Sequence, residues 1–261
     1  MAGKTKTTAD GQTQQSKFPS EVIDLPSGGK IYGKDSPLYD GKLEIKYMTA
    51  REEDILTSQN LIKKGMVIDK LMDSLILTPG VDSKTLIIGD KNAVMVAARI
   101  LAYGPEYTAE VTNPITLEKS KHSFDLSECG FKELQEDIDY STNEFVFELP
   151  VTKAKIIFKL LSGTDELNIN KELESRKKIG QSAEVTTRMK HSIVSVDGED
   201  NRAAINNYVD NMLSRDSLAF RQEMARIAPD IDLSQEVEIE GETVKVDIPM
   251  TVNFFWPSAG K

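Results

Sequence analysis

The chain has 261 residues, enough for one large domain or two modest ones with a core of their own. Lys and Arg number 32 against 42 Asp and Glu, a formal net charge of −10 that disfavours generic binding to nucleic acid or to anionic membranes. The one cysteine, Cys129, excludes an internal disulfide and a four-thiolate metal site, and it fits folding in a reducing compartment.

Residues 1–17 are Gly, Ala, Ser, Thr, Gln, Asp and Lys after Met1, too polar to offset the entropy of ordering, and they read as a disordered arm. No apolar stretch there could act as a secretion signal, and nothing later offers the run of about 18 apolar residues that a bilayer span needs. Short β-prone pieces follow at residues 21–25, 30–32 and 42–48, separated by Pro26-Ser27-Gly28-Gly29, Ser36-Pro37 and Asp40-Gly41. Thr49-Ala50-Arg51-Glu52 has the form of a capping box, which predicts a helix to about residue 64, stopped by Gly65. Ile68, Leu71, Met72 and Leu75 draw the apolar stripe of a second helix packed on the first as a hairpin. Asp90 is the expected cap of a third, buried helix with almost no polar face, ended by Gly104.

Residues 107–126 predict a β-ribbon turning at Asn113-Pro114, and residues 144–149 and 153–161 predict further strands, the second with Ala154, Ile156 and Phe158 on one face. From Gly163 to Pro229 the sequence reads as polar helix, and the alternation of residues 236–256 about Glu240-Gly241-Glu242 predicts a closing hairpin. The expected class is α+β: N-terminal strands and a helical hairpin with a β-ribbon, a helical segment and a C-terminal β-hairpin. The expected divisions are an α+β domain at 18–162, a mainly helical segment at 163–232 and a hairpin at 233–261 that packs back on the core.

Five features look like chemistry or contact surfaces. Gly28-Gly29-Lys30-Ile31-Tyr32-Gly33-Lys34-Asp35 matches a phosphate-binding loop until its last position, where Asp35 replaces the hydroxyl that would hold magnesium; a turn is the simpler reading. Asp137, Asp139, Ser141 and Glu148 are spaced like calcium ligands, but Thr142 stands where the sharp turn requires glycine, so an acidic surface turn is expected. Residues 132–148 hold six acids against one lysine, a patch that a basic partner could use. A nucleophile made from Cys129 and His122 would need a stabilised thiolate and a third group to orient the base, and seven residues across a predicted strand and turn give no mechanical reason for contact. The aromatic group Phe254, Phe255 and Trp256 reads first as a strand end stapled to the core and second as a partner contact.

Several phrases together resemble a known family. Leu25-Pro26-Ser27-Gly28-Gly29-Lys30-Ile31-Tyr32 is followed by Met48-Thr49-Ala50-Arg51-Glu52-Glu53-Asp54-Ile55-Leu56, Leu61-Ile62-Lys63-Lys64-Gly65 and Ile68-Asp69. In order and spacing these are similar to the opening of the baseplate hub assembly proteins of T-even-like, contractile-tailed bacteriophages. Arg99-Ile100-Leu101-Ala102-Tyr103-Gly104, Asp216-Ser217 with Arg221, Pro229-Asp230-Ile231-Asp232 and Phe254-Phe255-Trp256-Pro257 resemble later landmarks of that family. The likeness covers most of residues 18–257. Some relatives carry a metal knuckle in the ribbon; Asn113-Pro114-Ile115-Thr116 has no cysteine, so no zinc comes with the resemblance.

The resemblance implies a non-enzymatic phage tail protein, structural component or assembly chaperone, that binds other baseplate or hub proteins. It implies no cofactor, no metal and no catalytic residues, with work done in the host cytoplasm during assembly and a place in the virion tail baseplate. The alternative from a different class is a small-ligand module for nucleotide or calcium, resting on the two incomplete loops.

Overall fold

The computed structural model describes residues 19–112, 116, 118–178, 180, 182–239, 242–250 and 252–255. The arm at 1–17, the Asn113-Pro114 and Glu240-Gly241 turns and Trp256 lie outside them. The fold is mixed α+β, with its strands in four small antiparallel sheets among the described residues.

β1 (Ser20–Asp24) pairs with β2 (Lys42–Lys46), Val22 opposite Glu44. Residues 30–32, expected as a strand, are a turn. The cause is the glycine pair: Gly28 and Gly29 take φ of 57° and 76°, and a Cβ on Gly29 would lie 2.2 Å from the Tyr39 carbonyl oxygen. The chain doubles back there, and the Tyr32 N–H closes on the Gly29 carbonyl at 3.0 Å.

The capping box forms at the start of α1 (Ala50–Thr57), but the helix does not run on to residue 64. It breaks at Ser58, and α2 (Gln59–Lys63) is a separate single turn. The Thr57 hydroxyl donates back to the Glu53 carbonyl at 2.9 Å, a local competition that favours a helix end. Gly65, at φ 64°, makes the next turn, and α3 (Val67–Leu75) buries Leu71, Met72 and Leu75 as its spacing requires.

α4 (Ile88–Tyr103) is capped by Ile87, not Asp90, and ends at Gly104 with φ 84°. Asp90 lies in its first turn and turns inward. Nor is the helix without polar side chains, for Asp90, Lys91 and Arg99 are all buried along it.

β3 (Glu106–Thr112) and β4 (Lys119–Asp125) form the expected ribbon, with Tyr107, Ala109 and Val111 on the inner face. β5 (Phe145–Glu148) and β6 (Lys155–Phe158) form two strands of a three-stranded sheet whose third is β7 (Ile193–Val196). β7 interrupts the stretch read as helical. Its Ile193-Val194-Ser195-Val196 run is short and β-branched, and Asp197 and Gly198 turn it with positive φ. Around it lie α5 (Gly163–Lys178), α6 (Glu184–Ser192), α7 (Arg202–Asp210) and α8 (Ser214–Ile227).

β8 (Ser234–Ile239) and β9 (Glu242–Asp247) make the closing hairpin. Strand alternation does not continue to its aromatics: residues 252–255 form a 3-10 turn. A strand would send Phe254 and Phe255 to opposite faces. Here both are buried, edge to face at 5.2 Å.

Of three apolar clusters, two pack on α4 and the other reaches its N-cap, Ile87. The two ribbons enclose one with α1 and α3, the three-stranded sheet and α6 to α8 enclose the second, and β1, β2 and α3 the third.

Candidate functional site

The glycine-rich motif is part of the scaffold. Asp90 is fully buried and accepts the Ser27 N–H at 3.0 Å, the Ser27 hydroxyl at 2.7 Å and the Tyr32 hydroxyl at 2.6 Å. Tyr32 Oη also accepts the Ile87 N–H at 3.2 Å, one of the amides a helix start leaves unpaired. Burial raises the pKa of both groups, and the bonds from Tyr32 and Ser27 offset part of the shift at Asp90. The loop that imitates a phosphate cradle thus ties the β1–β2 connection to the first turn of α4.

Other charged residues do similar work. Glu52 accepts Lys46 Nζ at 2.7 Å, Ser74 Oγ at 2.6 Å and the Thr49 N–H at 2.9 Å. Burial works to raise its pKa, yet these donors prevail and hold it at about 2. Asp69 and Lys91 pair at 2.8 Å between α3 and α4, both buried. Asp216, in the first turn of α8, accepts the Val151 N–H at 2.8 Å and the Thr152 N–H at 3.1 Å; these bonds lower its pKa against the opposing effect of burial. Arg99 donates to three backbone carbonyls, those of Phe254, Gly104 and Glu106, at 2.9, 2.9 and 3.1 Å. Its guanidinium lies 5.2 Å from the Tyr103 ring centroid.

The calcium-like loop is tied to backbone elsewhere in the fold. Asn143 bonds both polar groups of Leu160, Tyr140 donates to the Ile227 carbonyl at 2.9 Å, and Asp139 accepts the Ser141 N–H. Among the described residues no group of three His, Cys, Asp or Glu is placed to hold a metal ion. His122 bonds Ser120 at 2.8 Å, whereas Cys129 meets Gln235 at 3.6 Å and has its pKa raised by burial. The structure gives the two different partners and builds no nucleophile from them. Phe254 and Phe255 sit in the ribbon core, 2% and 4% exposed, and not on an open surface.

A surface feature absent from the sequence reading lies over the start of α4. Two clefts, of 450 and 540 Å³, border one another at Ile88 and Arg188. Val185 and Met189 of α6 and Met224 and Ala225 of α8 wall the first. Leu56, Ile62, Met95, Leu167 and the edges of Phe254 and Phe255 wall the second. The lining is mostly apolar, and its acids are paired within the protein: Asp69 with Lys91, and Glu166 and Glu184 with the one guanidinium of Arg188 at 2.8 and 3.4 Å. The sequence signal was faint. It consists of apolar Ile62 on a one-turn helix with no buried residue, and Val185, 46% exposed, on a polar one.

A family model described as T4 bacteriophage base plate protein matches residues 19–256. No curated protein sequence and no solved structure matches the chain.

Proposed function

The chain belongs to the T4 bacteriophage base plate protein family, and from that premise we propose that it serves the hub of the baseplate of a contractile tail, by protein–protein contacts and without catalysis. The family match carries this reading, and the use made of the chain's reactive side chains supports it. Asp90, Glu52, Asp69, Lys91, Arg99 and Asp216 are buried and each is bonded to a group more than 20 positions away in sequence, which spends their chemistry on rigidity. A rigid body with preformed surface relief binds partners at a small ordering cost. Among the described residues, no helix is long and apolar enough to cross a membrane.

In this reading the chain meets its partners in the host cytoplasm during assembly and is carried into, or guides others into, the virion tail. The deciding experiment is co-expression with the hub, spike and tube proteins of the same virus, followed by gel filtration. A stable complex with at least one of them is expected; elution alone in every combination overturns the proposal. Calorimetry with magnesium–ATP and with calcium is expected to show no binding heat.

A further inference from the structure

We infer that the apolar trough over the first turn of α4 receives an acidic amphipathic segment of another protein. The inference rests on the reading above and names the surface that reading needs. Its shape is that of a groove for an apolar ridge, with paired clefts on either side of Ile88 and Arg188.

Charge identifies the occupant. The carboxylates that line the trough or adjoin its lining are all engaged. Asp69 and Asp90 are held as described; Asp165 meets Lys159 at 2.7 Å, Glu166 and Glu184 meet Arg188, Glu223 meets Arg226 at 2.8 Å, and Asp230 accepts Asn92 Nδ2 at 3.1 Å. Four cationic side chains in the same set have no hydrogen bond or ion pair with any described residue: Lys63 and Lys64 next in sequence to Ile62 and Gly65, Lys171 next to Asn170, and Arg221 in the wall itself. The side chains left to pair with a visitor are thus cationic, whereas every carboxylate in the set already has a donor, Glu166 and Glu184 sharing the single charge of Arg188. A segment with apolar side chains for the clefts and Asp or Glu at its margins satisfies both requirements, and a basic one meets repulsion.

The test uses the full chain and the purified baseplate proteins of the same virus, first in pairwise capture and then in affinity titration. Three forms are compared with the unaltered chain: the triple variant Lys63→Glu, Lys64→Glu, Arg221→Glu; the cleft variant Ile62→Asp with Val185→Asp; and Val146→Glu, exposed and outside the trough. Every altered side chain is exposed, and circular dichroism melts verify folding. The triple variant is expected to weaken the complex about tenfold or more, with a shallower salt dependence. The cleft variant is expected to weaken it at all salt concentrations, and Val146→Glu to leave it unchanged. If the unaltered chain captures nothing, the functional reading falls and this inference with it. If it captures a partner that both trough variants hold equally well, the inference alone falls.

Discussion

Arg99 donates from Nε to the carbonyl oxygen of Phe254 at 2.9 Å, joining residues 155 positions apart. With its bonds to Gly104 and Glu106 it fixes the C-terminal end of α4, the entry to β3 and the last aromatic turn at one point. Arg99→Met leaves three carbonyls without their donor in a site where the arginine is 3% exposed. A loss of about 3 kcal/mol is expected in urea unfolding. Lysine at this position restores only part of it, because its single ammonium cannot reproduce the planar fork. A loss below about 0.5 kcal/mol, the worth of an ordinary surface change, would show that the clamp does not hold.

Glu52 gives the acid limb of stability a definite sign. Its folded pKa, about 2, lies below the ordinary glutamate value of 4.5, so the unfolded chain takes up the proton first as pH falls. The stabilisation is complete above about pH 4.5 and is lost progressively towards pH 2. Solvent reaching the Thr49 edge of the network reduces the contribution to about 2 kcal/mol. Glu52→Gln replaces an acceptor with an amide donor that faces other donors. It is expected to lower stability at pH 7 and to flatten the acid limb in denaturant titrations run between pH 7 and 2.5; an acid limb parallel to that of the unaltered chain counts against the assignment.

Tyr32 and Lys34 separate the scaffold reading of the glycine-rich loop from the nucleotide reading. Tyr32→Phe deletes the hydroxyl that donates to Asp90 and accepts from Ile87, and a loss of about 2 kcal/mol is expected. Lys34 is exposed, and Lys34→Ala is expected to change stability by less than about 0.5 kcal/mol. Thermal melts of the two variants, with and without magnesium–ATP, are expected to show the tyrosine effect alone and no ligand shift. A ligand shift that Lys34→Ala abolishes would restore the phosphate-loop reading.

Local signals were legible in the sequence. The Thr49 capping box, the Leu71 and Met72 stripe, the Gly65 and Gly104 stops and the alternating ribbons depend on neighbours within a few residues, and each appears in the structure. What depends on distant partners was not legible. Asp90 resembles a cap until Ser27 and Tyr32, about 60 positions away, turn it inward, and β7 is a strand because β6 lies ready to pair with it. One clue went unused: an arginine inside the apolar Val94 to Leu101 stretch must find partners, and Arg99 finds three. The trough was out of reach for the same reason, since its walls come from seven helices, α1 to α6 and α8, and two aromatic residues far along the chain.

Gly89 is where α4 and the Pro229-Asp230 turn press together most closely, and the pressure is steric. A Cβ at Gly89 would lie 1.8 Å from the Pro229 carbonyl oxygen and 2.9 Å from the Asp230 Cα. The opposing atoms are backbone, and Asn92 holds that turn through Asp230 at 3.1 Å, so it cannot withdraw without breaking a bond. In an open helix Gly→Ala is stabilising by about 1 kcal/mol through propensity. At Gly89 the contact reverses that sign, and Gly89→Ala is expected to cost about 3 kcal/mol through overpacking. Gly33→Ala, whose Cβ would meet nothing within 4 Å, is the matched control and is expected to be near neutral. The first cleft is bounded by Gly89 and Pro229, so the variant is also expected to weaken partner capture more than its loss of stability explains. Melting and capture measured on the same preparation check both, and an unchanged melting temperature for Gly89→Ala would mean that the helix and the turn are not in the contact described.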